Sequence, residues 1–237
     1  MARKHDLRLS RAGTILNLTS SGQESALGQA LKVVVARLIE DFSVNLVHDK
    51  TWKLTEIVEK LRLEFADVTF ADPGPKSYMS PDGGILSLVD REGGKHPILI
   101  AEVKNQGTND LRATEGLRAQ AKGNAIERLG KNVIGFRTAM LTESIMPFVC
   151  FGYGIDFDEG SSILDRVVTI AMFGKLNELH VMNEGDDSRF NRGSFFFRRP
   201  AWTEQEMETV MYEIASRSIH YYFAKHGVSH FQKPTNV

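Results

Sequence analysis

Apolar residues recur at intervals of three and four along several stretches of the chain, the spacing that places side chains on one face of a helix. The predicted helices cover residues 24–42, 54–65, 124–140 and about 203–225, and an apolar-rich segment at 162–173 is predicted to be helical as well. The last helix opens with Thr203 and Glu206, the two members of a capping box, and Gly227 ends it.

The pattern changes to strand character between residues 68 and 103. A turn at residues 92–94 separates two apolar runs bounded by glycines, which predicts a hairpin. A later run is apolar throughout, as expected for a strand covered on both faces. Since no repeat or linker divides the chain, we expect a single α/β domain over residues 1–237. The predicted strands cover residues 86–88, 97–103 and 146–153, with short candidates at 180–182 and 195–197.

Three residues that carry chemistry flank this hairpin. Asp82 lies in a Pro-Asp-Gly-Gly run before the first strand, and Glu102 and Lys104 lie at the end of the second. Glu102 and Lys104 are two residues apart, so they project from the same face, where Asp82 can meet them. Two carboxylates and an ammonium at one point fit a site that binds a hard divalent cation and handles a phosphodiester. The lysine there steers or deprotonates the attacking water, or holds the phosphate as a point charge.

A Glu-x-Lys at the end of a strand is by itself usually a solvated surface pair. Two neighbours favour the catalytic interpretation over the surface one. An unbroken apolar strand at residues 97–101 leads into the motif, and Pro-Asp-Gly-Gly precedes it by about twenty residues.

Composition adds constraints on compartment and surface charge. Charged residues make up 25% of the chain and the apolar set 42%, as in ordinary globular proteins. The net charge of −1 means that any basic surface must be local. The single Cys150 lies in an apolar run and is predicted to be a buried thiol, without a disulfide framework. Because neither a signal peptide nor a twenty-residue apolar span occurs, we expect a cytoplasmic protein without a membrane partner.

Two polar segments keep two interpretations each. Residues 1–22 begin with several basic side chains and form either a frayed, flexible tail or an arm that follows a phosphate backbone. Residues 107–123 hold many charges and few large apolar groups, as in a loop or a solvated arm.

A second motif follows at residues 120–132, which read QAKGNAIERLGKN. With PDGG at 81–84 and AEVK at 101–104, followed by Gln106 and Gly107, this segment resembles the EcoRI family of type II restriction endonucleases, within the PD-(D/E)xK nuclease superfamily. The resemblance covers about residues 80–150, and the run GNAIER at this distance after the first motif makes it specific.

The resemblance implies an α/β fold in which a central mixed β-sheet is flanked by helices, with the acidic cluster at one sheet edge. It implies that Asp82 and Glu102 are catalytic ligands of Mg²⁺ and that Lys104 lies next to the attacking water. The backbone carbonyl of Val103 is a further metal ligand in this interpretation. The implied reaction is in-line hydrolysis of DNA that leaves a 3′-hydroxyl and a 5′-phosphate.

Several residues near the start of the helix predicted at 124–140 are candidates for DNA recognition. Free amides and the helix dipole favour phosphate at such an end, and side chains there can enter the major groove. Asparagine pairs with adenine, a carboxylate accepts from an amino group, and arginine suits purine acceptors. A plain N-cap at Asn124 with Glu127 as its partner is the structural alternative, which the longer match disfavours. The predicted DNA-binding residues are Gln120, Lys122, Gly123, Asn124, Ala125, Glu127 and Arg128.

Family members with this helix motif typically read sites with a central AATT. We therefore predict a palindromic site containing AATT in double-stranded DNA, bound by a homodimer, because a two-fold protein mirrors a two-fold site. Lys122 and Gln120 could reach the outer base pair, and a lysine favours guanine there, but a simple phosphate contact of Lys122 is an equal alternative. A cognate DNA methyltransferase is an implied partner in the cell. The alternative functions are a structure-selective or repair nuclease and a DNA-binding protein without cleavage.

Two aromatic segments outside the match also keep two interpretations. Residues 220–223 are predicted to form a core or dimer-packing stripe, with nucleic-acid stacking as the alternative. Residues 195–197 precede Arg198 and Arg199, which either meet backbone phosphate or protect an edge strand by their charge.

Overall fold

The computed structural model describes residues 15–105, 116, 123–154, 157, 164–171 and 175–232. Its helices there are α1 (Ile15–Phe42), α2 (Leu54–Glu64), α3 (Gly123–Ala139), α4 (Leu164–Ile170) and α5 (Glu204–His226). The strands are β1 (Asn45–Asp49), β2 (Trp52–Lys53), β3 (Tyr78–Met79), β4 (Ile85–Val89), β5 (Lys95–Asn105), β6 (Phe148–Tyr153) and β7 (Ser194–Arg198). Short 3-10 helices cover Asp186–Arg189 and Val228–His230.

Five of these strands form one mixed sheet in the order β1-β4-β5-β6-β7. The pairs β1–β4 and β4–β5 are antiparallel, and the pairs β5–β6 and β6–β7 are parallel. The hairpin of β4 and β5 confirms the prediction from the glycine-bounded apolar runs. The strand β5, which carries Glu102 and Lys104, thus lies in the middle of the sheet and is hydrogen-bonded on both sides.

Helices cover both faces of this sheet. An ideal Cβ on Gly83 would lie 2.9 Å from Ala101 Cβ and 3.0 Å from Leu27 of α1, so Ala101 faces α1. Its neighbour Glu102 points to the opposite face, where Asn132 of α3 contacts it. The helices α1 and α5 pack against each other and against β5. This arrangement confirms the expected α/β class, a mixed sheet flanked by helices.

Aromatic side chains fill the space between α3 and the sheet. The ring of Phe136 on α3 stacks on Phe148 of β6 with a centroid separation of 5.6 Å, and both side chains are fully buried. Phe148 in turn contacts Phe195 of β7 at 5.7 Å. The helix also approaches β3 closely, because a Cβ on Gly135 would meet the sulfur of Met79. These contacts fix the height and rotation of α3 on the sheet.

Most predicted elements occur, with three differences. α1 begins at Ile15, so residues 15–22 are helical rather than part of an arm, and residues 1–14 lie outside the described residues. The strands β1 and β2 were not predicted. The candidate strand at residues 180–182 contributes only an isolated bridge between Met182 and Ile145. Most of the segment at 107–123 also lies outside the described residues.

The start of α5 accounts for Arg198. Thr203 and Glu206 form the predicted capping box, with each side chain bonded to the other's backbone amide. The guanidinium of Arg198 donates two bonds of 2.6 Å to Glu206 and stacks over Trp202, 3.7 Å from the ring centroid. The hydrogen bonds from Arg198, and after them the bond from the backbone amide of Thr203, lower the pKa of Glu206 to about 2. Arg198 is therefore paired with Glu206 within the protein, an interaction that neither predicted role of this arginine, the phosphate contact or the protection of the edge strand, included.

A buried carboxylate joins the other end of α5 to the rest of the protein. Glu143 accepts from Lys225 at 2.7 Å, from the hydroxyl of Tyr221 at 3.0 Å and from Lys60 at 3.4 Å. Burial raises the pKa of Glu143, but the bond from Lys225 and the charge of Lys60 outweigh it and hold this pKa below its ordinary value. Tyr222 is fully buried and Tyr221 and Phe223 are partly buried, which supports the core interpretation for these three residues, whereas His220 is exposed. None of the described helices is long and apolar enough to cross a membrane.

Candidate functional site

The three residues predicted to act together meet at the end of β5. The ammonium of Lys104 lies 3.0 Å from Oδ2 of Asp82 and also forms an ion pair with Oε1 of Glu102. The amide of Val103 donates to the same Asp82 oxygen at 3.2 Å, and the amide of Asp82 donates to Oε2 of Glu102 at 3.3 Å. Side chains twenty residues apart in sequence therefore form one hydrogen-bonded cluster.

A tight turn before β4 places Asp82. The carbonyl of Pro81 accepts from the amide of Gly84 at 3.0 Å, and Gly83 donates to the carbonyl of Ala101 at 2.9 Å. Gly84 has a φ of +70°, and a Cβ there would lie 2.5 Å from Nε2 of His48 and 2.7 Å from the carbonyl of Asp49. Only glycine fits this position, which explains the second glycine of the motif.

His48 of β1 braces the turn from the other side. Its Nε2 lies 2.8 Å from the carbonyl oxygen of Gly83. Because a carbonyl only accepts, the ring donates its Nε2 proton in this contact. The sequence motifs gave no signal for His48, since the contact depends on the pairing of β1 with β4.

Glu102 is the buried member of the cluster, with 1% of its surface exposed. A second donor reaches its Oε1 from α3, where the side-chain amide of Asn132 lies at 3.2 Å. Asn132 belongs to the sequence motif at 120–132 but was not predicted as a site residue. Its spacing from Arg128, four residues earlier on the same helix face, was the signal that could have pointed to it.

Burial and charge act against each other in this cluster. Burial raises the pKa of Glu102 and the charge of Asp82 adds to the effect, while Lys104 opposes it, so the pKa of Glu102 lies above its ordinary value. Burial also disfavours the ammonium of Lys104, but Glu102 and Asp82 outweigh it and raise the pKa of that lysine above its usual range. The raised pKa of Lys104 means that this group stays an ammonium beside the two carboxylates.

The oxygen atoms of this cluster suit a hard cation. Lys104 Nζ contacts Asp82 Oδ2, Glu102 Oε1 and, at 3.2 Å, the carbonyl oxygen of Val103. These three oxygens are the predicted metal ligands, and a single cationic group already bridges them. The described residues contain no group of three or more His, Cys, Asp or Glu side chains that could hold a metal ion. The fit thus rests on two carboxylates and one carbonyl, a set that suits Mg²⁺ because this ion keeps several waters.

Cys150 lies beside the cluster on β6. It is the register partner of Glu102 in the parallel pair of β5 and β6, so both side chains project from the same face. Its thiol is free and fully buried, as predicted. Burial raises the pKa of Cys150 well above its ordinary value, so the group stays a neutral, apolar neighbour of Glu102.

The helix α3 connects this cluster to the second motif. It begins at Gly123, which places Asn124 and Ala125 in its first turn. The side chains of Glu127 and Arg128 are exposed, and Asn132 lies one turn after Arg128 at the cluster. Of the other predicted DNA-binding residues, Gln120 and Lys122 lie outside the described residues. One helix thus carries exposed candidates for DNA contact and a residue bonded to Glu102.

Comparison with known proteins gives the same assignment as the two motifs. The model of the restriction endonuclease EcoRI family matches residues 10–162, which include both motifs. The type II restriction enzyme RsrI of Cereibacter sphaeroides is 29% identical over 244 residues, covering 87% of this chain and 87% of its own. The type II restriction enzyme EcoRI of Escherichia coli is 31% identical over 183 residues, or 70% of this chain and 66% of its own. This chain therefore belongs to the EcoRI family of restriction endonucleases.

Proposed function

We propose that this protein is a type II restriction endonuclease that cleaves both strands of DNA in a Mg²⁺-dependent reaction. Its proposed site is a palindrome with a central AATT, and its products carry 5′-phosphates. The observation that carries the proposal is the convergence of Asp82, Glu102 and Lys104 next to a helix that begins with the second family motif. Family membership supports the same activity.

The side chains divide the proposed reaction between them. Asp82, Glu102 and the carbonyl of Val103 would hold the Mg²⁺ ion, and the charge of Lys104 would hold the phosphate or the attacking water in place. When bound, the ion lowers the pKa of a coordinated water and offsets the negative charge that builds on the phosphorus. Glu102 is almost fully buried and is hydrogen-bonded through both oxygens, so its position is set before DNA arrives.

Base recognition is assigned to the start of α3. Asn124, Glu127 and Arg128 have the donor and acceptor groups that suit adenines and purine acceptors in the major groove. Lys122 and Gln120 precede the helix, and the lysine favours a G·C outer pair or contacts phosphate. A homodimer places two such helices on a two-fold site. A methyltransferase that modifies the same site is the corresponding partner in the cell.

The deciding experiment incubates the purified protein with phage or plasmid DNA in Mg²⁺ and sequences the fragment ends, with EDTA as the control. We expect discrete fragments whose ends share one AATT-containing palindrome and carry 5′-phosphates. Random nicking would instead indicate a repair-type nuclease, and specific binding without cutting would indicate a DNA-binding protein. A degenerate or A·T outer position among otherwise discrete ends would refute only the outer G·C pair.

Arg128→Ala is expected to weaken binding to the specific site about 5- to 150-fold, the range for one lost base contact of about 1–3 kcal/mol. Affinity for random DNA should change much less, because a base contact is made only at the specific site. Binding in Ca²⁺, which prevents cutting, measures both affinities. Arg62→Ala is the matched control, since it removes the same charge from an exposed arginine of α2, which pairs with Asp72 beyond that helix. Equal losses on both DNAs would make Arg128 a phosphate contact.

A further inference from the structure

We infer that Asn132 is a positioning residue that fixes the orientation of the Glu102 carboxylate in the proposed active site. The inference rests on the proposed function and adds a residue from the interior of α3 to it. Its basis is the bond from the Asn132 amide to Oε1 of Glu102, at 3.2 Å.

Glu102 receives its hydrogen bonds from three different parts of the chain. Lys104 of the same strand and Asn132 of α3 both donate to Oε1, and the backbone amide of Asp82 donates to Oε2. A carboxylate offers about four lone-pair sites, so a position remains open on this group. The donors thus decide which edge of the carboxylate faces Asp82.

The three donors differ in how strictly they fix the orientation of the Glu102 carboxylate. Lys104 is a compact charge on a flexible stem, and it also bonds to Asp82 and to the carbonyl of Val103. A phosphate that enters the cluster competes for this lysine, and a cation competes with the lysine for the oxygen atoms that it contacts. The amide of Asn132 is planar and directional, and it has no role in balancing charge. It therefore keeps Oε1 in place when the contacts of Lys104 are redistributed.

The surroundings of Asn132 hold this amide at a defined place. Phe136 lies one turn later on the same helix face and stacks on Phe148. The neighbouring Val133 is buried, and Gly135 allows the close approach of α3 to Met79. The donor is thus part of a packed helix rather than of a loop.

Two substitutions test the inference. Asn132→Ala removes the donor, and Asn132→Asp keeps the shape but turns a carboxylate toward Oε1 of Glu102. We expect single-turnover cleavage in saturating Mg²⁺ to fall about 10- to 150-fold in Asn132→Ala, the range for a lost hydrogen bond to a charged group. Asn132→Asp should lose at least as much. Affinity for the specific DNA without metal should stay within about threefold, because the bond lies inside the protein. Ile134→Ala, at an exposed position of the same helix, should cleave as the wild type does.

A second measurement needs neither metal nor DNA. Urea unfolding of Asn132→Ala, Glu102→Ala and the double variant in EDTA forms a double-mutant cycle. We expect the folding equilibrium constant to lose about tenfold less from Asn132→Ala when Glu102 is already absent. A role of Asn132 in general packing would give the same loss in both backgrounds.

The outcomes separate this inference from the proposed function. If the wild type cleaves and Asn132→Ala cleaves equally well, the inference is overturned and the function stands. Slow cleavage without coupling in the cycle also overturns it, because Asn132 then acts through another group. If the wild type cuts no DNA, the proposed function fails, and the cycle alone still decides whether Asn132 holds Glu102. Far-UV circular dichroism of both variants verifies that they fold.

Discussion

Replacing Lys104 by alanine is expected to reduce the rate of DNA cleavage by more than about 10²-fold, the usual cost of losing a charge contact made in the transition state. The ammonium of Lys104 is the group that contacts Asp82, Glu102 and the carbonyl of Val103 at once. Among the described residues of the cluster, Lys104 is the group that carries the positive charge to hold the phosphate or the water. Specific binding in Ca²⁺ should survive, because the groups assigned to base recognition lie on α3.

Lys95→Ala supplies the control for this experiment. Lys95 lies at the other end of the same strand, is 53% exposed and pairs with Asp49 at 2.7 Å. Removing it changes the net charge equally, so any effect of charge alone would appear in both variants. Cleavage by Lys104→Ala at more than about one per cent of the wild-type rate would contradict a catalytic role for Lys104.

Phe136→Ala should lower the free energy of unfolding by about 3–5 kcal/mol, the range for truncating a fully buried phenylalanine. The ring of Phe136 lies between α3 and Phe148, and its removal leaves a cavity where the helix meets the sheet. The loss is large against a total stability of about 5–15 kcal/mol for ordinary proteins. Urea unfolding followed by circular dichroism measures it.

Ile134→Ala on the same helix provides the comparison, because its side chain is 64% exposed. We expect a change within about 0.5 kcal/mol there, as for surface positions in general. A loss below about 1 kcal/mol in Phe136→Ala would mean that the stack of Phe136 on Phe148 contributes little to the seating of α3.

The parts of the fold that the sequence predicted are those encoded by local periodicity. The alternation along β5 placed Glu102 and Lys104 on one face, and the capping box and Gly227 gave both ends of α5. The strand β1 escaped prediction because it is short, lies at the edge of the sheet and is only partly buried. The prediction began α1 too late because residues 17–22 are rich in Ser, Thr and Gly, which have low helix propensity. The helix nevertheless includes these residues.

In the site, too, local sequence patterns predicted some residues, whereas tertiary packing decides the contacts of others. Asp82, Glu102 and Lys104 follow from a turn and a strand that belong to one local hairpin, with β4 between them. The contacts of His48 and Asn132 arise only when β1 pairs with β4 and α3 packs on the sheet. The spacing of Asn132 from Arg128 places both residues on one helix face, but it does not show what that face contacts. The ion pair of Arg198 with Glu206 could not be predicted from a local pattern either, because Glu206 lies in the next element along the chain.

The two carboxylates of the cluster lie on parts of the protein that open at different free energies. Glu102 lies within the paired stretch of β5 and β6, so we expect its amide to exchange with solvent only when this strand pair opens. Asp82 lies on a turn held by a few backbone bonds and by His48, and such a turn opens at a lower free energy than the sheet. Opening of the turn alone separates the two carboxylates while the protein stays folded. We therefore expect the cluster to open and re-form while the rest of the protein stays folded.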